Sequence, residues 1–203
     1  MKNERVTENL VRDEFRRLGY YSDSNDVIVE EQKSQIVAIN TLLRSASKSG
    51  LANRGAPEFI VTTPSTPDFV VVFECKADLK QHESKNRDKA KGYAVDGVLH
   101  YARCLQKEFN VIAVAVSGQK LKQAKISTFL CPKGTSSYKE LKTKNDEVID
   151  EILSVKDYID HGTYDPDVTR KRHEDLMAFS RELHEFMRDH AKLTESEKPL
   201  LVS

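Results

Sequence analysis

Residues 58–76 read Glu-Phe-Ile-Val-Thr-Thr-Pro-Ser-Thr-Pro-Asp-Phe-Val-Val-Val-Phe-Glu-Cys-Lys, with two apolar runs on either side of a proline-containing turn. The runs at 59–61 and 69–73 have the length and composition of β-strands, and the residues between them favour turns. A hairpin closed by that turn would place Glu58 opposite Glu74, because the two residues lie equally far from its centre. The sequence therefore predicts that two carboxylates meet at the open end of a hairpin.

The second of these strands ends in Glu74-Cys75-Lys76, which puts two opposite charges on one face of an otherwise apolar strand. Burial of a charge is costly unless the charge is paired or binds a metal. Two carboxylates can hold a hard divalent cation such as Mg²⁺, which prefers oxygen ligands. With Lys76 to orient a water or contact a phosphate, Glu58 and Glu74 suit metal-assisted hydrolysis of a phosphodiester. The alternative is a surface hairpin whose charges are merely solvated.

The order of an acid, a hairpin and a Glu-x-Lys tripeptide resembles the PD-(D/E)xK nuclease superfamily. Two segments carry the resemblance, Gly55-Ala56-Pro57-Glu58-Phe59-Ile60 and Glu74-Cys75-Lys76-Ala77-Asp78. They look like the amino-terminal nuclease domain of restriction enzymes, either those fused to adenine-N6 methyltransferases (type IIG) or the motor subunits of type I systems. The resemblance covers about the first 130 residues of the chain.

The resemblance implies a restriction-endonuclease-like α/β core, in which helices flank a mixed central sheet, with a helical extension at the carboxyl end. It also implies a Mg²⁺-dependent DNA endonuclease, in which Mn²⁺ can substitute. The catalytic residues would be Glu58, Glu74 and Lys76. The metal ligands would be Glu58, Glu74 and the backbone carbonyl of Cys75.

The literal Pro-Asp of the family name stands at Pro67-Asp68. If Asp68 and Glu74 share one strand, their separation is about 20 Å at ~3.3 Å per residue. One metal ion cannot bind both, so Asp68 is interpreted as a turn residue. The first acid is placed at Glu58 instead, where the family usually has Asp.

An amphipathic helix is predicted over residues 4–18, with Gly19 as its stop. Members of the superfamily often carry a Glu on this helix that leans towards the metal. By resemblance, Glu8 is the candidate for this additional ligand and Glu14 is its rival. For both residues the alternative is a solvated helix face.

The remaining elements follow from periodicity and turn signals. They are a loop at 20–29, helices at 30–47 and 93–108, strands at 111–116 and 126–131, and helices at 145–159 and 167–192. Related families often carry Gln-x-x-x-Tyr on the helix at 93–108. Tyr101 matches this pattern, but Gly97 stands at the Gln position, with Asp96 and His100 as candidates to replace it. Tyr101 is interpreted as a part-buried core residue with a satisfied hydroxyl.

The net charge is zero, but the charges are unevenly distributed along the chain. Residues 76–144 hold 15 Lys and Arg against 6 Asp and Glu, a net of +9, whereas residues 145–175 hold 4 against 10, a net of −6. A basic surface beside the predicted site suits a phosphate backbone, although the two segments could instead pair within the fold. The candidate DNA-binding residues are Lys48, Arg54, Lys80, Lys85, Arg87 and Lys89. Residues 77–91 are predicted to be a mobile loop that orders over DNA, and His82 within them is not expected to bind metal.

No apolar run is long enough to span a membrane, and the first residues lack the apolar segment of a signal peptide. The three cysteines are far apart, which favours a reducing cytoplasm over a disulfide framework. The predicted domains are a nuclease over 1–140 and a helical connector over 141–203. The connector would lead to a methyltransferase or motor domain of a longer polypeptide, and two copies would pair transiently to cut both strands.

Two other functions are compatible with these residues. The same site could cleave branched DNA or RNA instead of a DNA duplex. Alternatively, the protein could be a non-catalytic interaction module that keeps a nuclease-like fold and binds a partner through the helix at 167–192.

Overall fold

The fold is built on a six-stranded sheet in a computed structural model that describes residues 3–22, 26–46, 55–143, 145–163 and 166–188. The strands are β1 (Ile28–Glu31), β2 (Phe59–Thr62), β3 (Phe69–Lys76), β4 (Asn110–Ser117), β5 (Lys125–Cys131) and β6 (Lys139–Glu140). The helices are α1 (Glu4–Arg17), α2 (Val37–Leu43), α3 (Ala94–Leu105), α4 (Val155–Thr163) and α5 (Pro166–Phe186). The strands follow chain order across the sheet; β3 and β4 are parallel and the other neighbours antiparallel. This mixed sheet flanked by helices confirms the predicted α/β class.

The hairpin of β2 and β3 has the register that its turn predicts. Phe59 is the partner of Phe73, so the pairing is symmetric about residue 66. β2 begins at Phe59, whereas β3 continues past Phe73 to Lys76 alongside β4. The end of β3 therefore has a paired strand on one side and the chain that enters β2 on the other.

The two faces of the sheet pack against different helices, because side chains alternate along each strand. On one face, the ring centroid of Phe15 in α1 lies 5.3 Å from that of Phe59 and 4.9 Å from that of Phe73. On the other face, Val70 and Val72 of β3 share a core cluster with the buried residues of α3. α3 also joins β3 to β4, which supplies the crossover that parallel neighbours require.

β4 is buried at every position, as its unbroken apolar sequence predicts. α4 packs very close to the sheet at Gly162, where an added Cβ would lie 3.2 Å from Cε1 of Phe69. The glycine therefore sets the spacing between α4 and the start of β3.

The predicted helix over 30–47 is too long, and the loop predicted over 20–29 contains the start of a strand. Residues 28–31 form β1, in which Glu30 is the partner of Ile60, and helix α2 begins only at residue 37. Between them, Gln32 has a φ of 58° and donates its N–H to the Pro57 carbonyl. Residues 28–31 pair with β2 instead of forming a helix, since long-range pairing overrides a weak local helix preference.

The predicted helix over 145–159 is also wrong in its first part, because α4 begins at residue 155. The Ser154 hydroxyl accepts the N–H of Asp157 at 3.2 Å and so caps the helix at this point. Ile149 and Ile152 are buried ahead of the helix, in irregular chain. Their apolar spacing reflects packing rather than helical structure.

The chain separates into two compact units, Met1–Tyr164 and Asp165–Ser203. The second unit contains α5, so the predicted long helix is confirmed over the part that the structure describes. Several large apolar side chains of α5 are exposed, including Leu176, Phe179 and Phe186. The role of this region as a connector stays a prediction. Among the described residues, no helix has the length and apolar character needed to cross a membrane.

Truncation of Phe15 is expected to destabilise the protein strongly. The ring is fully buried between α1 and the sheet, so Phe15→Ala should lower the free energy of unfolding by about 3–5 kcal/mol. Urea denaturation followed by circular dichroism would measure this loss. Val37→Ala is the control, because Val37 is 77% exposed and its removal should change stability by less than about 0.5 kcal/mol. Equal effects of the two variants would contradict the assigned core.

Candidate active site

Two carboxylates lie at the open end of the β2–β3 hairpin. Glu58 and Glu74 each lie one residue beyond the pair Phe59–Phe73, so continuation of the register sets them opposite each other. Directly opposed residues of antiparallel strands carry their side chains on the same face. Glu74 is 1% exposed, and Glu58 is partly buried. The predicted alignment of the two acids therefore agrees with the strand pairing.

Lys76 lies beside these acids with its ammonium group buried. Its Nζ is 3.1 Å from Oε1 of Glu74 and 3.1 Å from Oε1 of Glu4. Burial lowers the pKa of Lys76, but the carboxylates of Glu74, Glu58 and Glu4 outweigh it and raise the pKa above its ordinary value. Lys76 is therefore a cation at neutral pH.

Tyr101 on α3 fixes the chain that enters β2. Its hydroxyl donates a hydrogen bond to the carbonyl of Ala56 at 3.1 Å, and its ring packs against Gly55. Burial raises the pKa of Tyr101, and the charges of Glu74 and Glu58 raise it further. The predicted part-buried tyrosine with a satisfied hydroxyl is confirmed, and its position couples α3 to the segment that carries Glu58.

The acids of α1 have different partners, and the role of Glu8 or Glu14 as a metal ligand stays a prediction. Glu8 pairs with Arg12 at 3.2 Å, and Arg12 also contacts Glu31 at 2.8 Å. The hydrogen bonds that Arg12 donates to Glu31 make the largest contribution to the raised pKa of Arg12. Glu14 pairs with Arg17 at 2.7 Å. Among the acids of α1, it is Glu4 that contacts Lys76.

Glu4 was therefore missed by sequence reasoning, although a signal for it exists. Glu4 and Glu8 are four residues apart and lie on the same helix face. Either could meet the sheet, depending on which turn of α1 crosses its edge. That choice is set by long-range contacts of the helix, which periodicity does not reveal.

The Asp of the literal Pro-Asp pair lies far from the site. Asp68 precedes the first residue of β3, whereas Glu74 and Lys76 belong to its last residues. The Asp68 carbonyl accepts the N–H of Asn110 at the start of β4. Its interpretation as a turn residue is confirmed.

The segment 77–91 is anchored to the core, so the prediction of a mobile loop is wrong. His82 is buried, and its two ring nitrogens lie 3.0 Å from Oγ of Ser117 and 2.9 Å from Oγ of Ser127. Both nitrogens are thus engaged by serine hydroxyls, which agrees with the expectation that His82 is not a metal ligand. Asp96 secures the same segment, because its carboxylate accepts backbone N–H groups from Ser84 and Lys89.

The candidate DNA-binding residues fall into three groups. Lys80, Lys85 and Lys89 are exposed. Arg87 pairs with Glu83, and its guanidinium carbon lies 5.2 Å from the ring centroid of Phe129 and 5.7 Å from that of Tyr138. The Arg87 guanidinium therefore packs against two aromatic rings of the protein. Lys48 and Arg54 lie outside the described residues.

The donor atoms at the end of the hairpin fit a hard cation. Within the residues that the structure describes, no group of three His, Cys, Asp or Glu side chains could hold a metal ion. The carboxylates of Glu58 and Glu74 would therefore need a backbone ligand. The Lys76 carbonyl accepts the N–H of Gly118 beyond the end of β4, and carbonyls alternate in direction along a strand. The Cys75 carbonyl is thereby directed to the opposite side, where Glu58 lies.

The thiol of Cys75 is not part of this donor set. Burial raises the pKa of the Cys75 thiol well above its ordinary value, and the nearby carboxylates of Glu58 and Glu74 raise it further. A thiol must lose its proton to bind a metal. Among the described residues, Glu58 and Glu74 offer carboxylate oxygens, the ligand type that Mg²⁺ and Mn²⁺ prefer.

The mixed sheet and its flanking helices are consistent with a restriction-endonuclease-like core. Along its whole length, over 220 aligned residues, the chain is 30% identical to the type II restriction enzyme and methyltransferase RM.BcgI of Heyndrickxia coagulans. The chain spans about a third of that protein, 32% of its length. No family model matches the chain, and no solved structure matches it. The similarity supports a relationship to restriction systems.

A methyl group at Gly55 is expected to disturb the segment that carries Glu58. An added Cβ would lie 2.5 Å from the Ala46 carbonyl oxygen and 2.9 Å from Cε1 of Tyr101. Gly55→Ala should therefore lower the free energy of unfolding by about 1–3 kcal/mol, as measured by urea denaturation. In Gly92→Ala the nearest atom would be 3.9 Å away, so this control should retain wild-type stability. A neutral Gly55→Ala variant would contradict the packing described here.

Protonation of His82 is expected to weaken the fold. Burial lowers the pKa of His82 below its ordinary value of 6.5, and the charge of Lys125 lowers it further. The unfolded chain then binds the proton more tightly, so the free energy of unfolding should fall as the pH drops below 6.5. Urea denaturation between neutral and mildly acidic pH would show this loss. His82→Gln should reduce the pH dependence, whereas His173→Gln, at an exposed position of α5, should leave it unchanged.

Proposed function

We propose that the chain is the Mg²⁺-dependent endonuclease part of a restriction enzyme and hydrolyses phosphodiester bonds of double-stranded DNA. The observation that carries the proposal is the buried ion pair of Glu74 and Lys76, beside Glu58 at the open end of a hairpin. In the sequence the same three residues resemble the PD-(D/E)xK pattern, with Glu58 in place of its usual Asp. Similarity over the whole chain to a protein named as a restriction enzyme supports this interpretation.

The ligands of the cation would be carboxylate oxygens of Glu58 and Glu74 and the carbonyl oxygen of Cys75. When bound, Mg²⁺ supplies positive charge at the scissile phosphate and makes a water molecule a stronger acid. The carboxylates hold their positions because β2 and β3 are paired up to the adjacent residue. Tyr101 contributes by fixing the backbone ahead of Glu58.

Lys76 would act on the phosphate and the attacking water. Its ammonium group has three N–H donors, and contacts to Glu74 and Glu4 occupy two of them. The third is available for a water or for a phosphate oxygen that gains negative charge in the transition state. Since its pKa is raised, Lys76 keeps its proton through this step.

The relative supports a larger assembly. Its name includes a methyltransferase, and the chain corresponds to 32% of its length. This favours a methyltransferase-fused restriction enzyme over the motor subunit of a type I system. The choice of DNA sequence would then lie elsewhere in a longer polypeptide, and transient pairing of two copies would allow both strands to be cut.

Removal of either charge of the buried pair is expected to abolish most DNA cleavage. In the intact polypeptide, Glu74→Gln should weaken the cation site and Lys76→Met should remove a donor to the phosphate. Each variant should cleave supercoiled plasmid in the presence of Mg²⁺ about 10²-fold more slowly or worse. Gel analysis of nicked and linear products over time would measure the rates.

Asp68→Asn is the matched control, because Asp68 is the literal Asp of the motif but lies at the other end of β3. It should retain wild-type cleavage. Undiminished cutting by both Glu74→Gln and Lys76→Met would overturn the proposal. Wild-type rates on duplex, branched DNA and RNA, measured side by side, would identify the preferred substrate.

A further inference from the structure

The first turn of α1 is fastened across the ends of β3 and β4. The buried hydroxyl of Thr7 lies 2.8 Å from the Gly118 carbonyl oxygen and 3.3 Å from that of Lys76. One turn earlier, the Asn3 carbonyl accepts a hydrogen bond from the side-chain amide of Gln119 at 3.1 Å. Two attachment points a single helical turn apart fix both the position and the rotation of this end of the helix.

Glu4 lies between these attachment points and faces Lys76. Its side chain is 49% exposed, whereas that of Glu74 is 1% exposed, although both carboxylates lie 3.1 Å from the Lys76 ammonium. Lys76 thus has one partner inside the protein and one at the solvent boundary. Glu8, the next acid on the same helix face, is occupied by Arg12 instead.

We propose that Glu4 is a positioning residue that holds the Lys76 ammonium on the α1 side of the site. The inference rests on the proposed nuclease function and extends it to the first helix. Without Glu4, the ammonium would be free to turn wholly towards Glu74 and Glu58 and to neutralise the two carboxylates. With Glu4 in place, one N–H of the ammonium is directed towards α1 and away from them.

The half-exposed position of Glu4 suits this role. An ion pair at the solvent boundary is weak, so it can orient Lys76 without trapping it. A phosphate oxygen that enters from the solvent side can then accept a hydrogen bond from the ammonium group. The fully buried partner, Glu74, keeps Lys76 in the site throughout.

Glu4→Gln tests the role, with Glu8→Gln as the matched control one turn along the same helix. The first measurement uses the 203-residue chain and needs no cleavage. The ¹H–¹⁵N signal of the Lys76 ammonium, assigned by its loss in Lys76→Arg, reports proton exchange with water. Exchange should become several-fold faster in Glu4→Gln and stay unchanged in Glu8→Gln. Glu4→Asp, which keeps the charge on a shorter side chain, should give an intermediate rate.

Cleavage by the intact polypeptide gives the second measurement. Glu4→Gln should lower kcat about tenfold or more with little change in KM, because it misplaces a group that acts in the transition state. Unaltered ammonium exchange in Glu4→Gln, or an equal change in Glu8→Gln, would overturn the inference. Altered exchange in a chain that cuts no DNA would retain the positioning role and remove the nuclease proposal.

Discussion

The structure is organised around one buried ion pair at the end of β3, between residues that are two positions apart in the strand. Glu74 and Lys76 have side chains 1% and 7% exposed and lie 3.1 Å apart. Transfer of each ion out of water costs several kcal/mol, and a well-packed apolar pair is often at least as stable. Stability therefore does not explain why the two charges are there. Contacts of Lys76 with Glu74 and Glu4 hold the charges in place, which is what the proposed site requires.

The topology brings Glu58, Glu74 and Lys76 to one end of the strands β2 and β3. β3 and β4 are parallel, so Lys76 and Ser117 end side by side. The reversed direction of β2 brings Glu58 to the same edge from its amino-terminal end. Binding groups of open α/β sheets commonly collect at the carboxyl ends of parallel strands. Here the antiparallel hairpin adds a second acid, Glu58, at that end of the strands. If β2 were parallel to β3, the residue that precedes β2 would lie at the opposite end.

The sequence predicts the hairpin, its register, α1, α3 and β4 because each of these elements has a strong internal pattern. The prediction from sequence is wrong at β1, because the spacing of Glu30 and Glu31 on this edge strand also fits the polar positions of a helix. It fails again at residues 77–91, whose order comes from His82 bound to two serines on neighbouring strands. Such contacts join residues that are 35 and 45 positions apart, so no local pattern reveals them.

The same distinction separates the acids of the site. The period of two in a strand fixes which residues of β2 and β3 share a face, so Glu58 and Glu74 follow from the sequence alone. A helix offers an acid on every turn of one face, and the tether at Thr7 selects Glu4 over Glu8. Selection by a tertiary contact is the reason that the sequence alone does not identify Glu4 as the partner of Lys76.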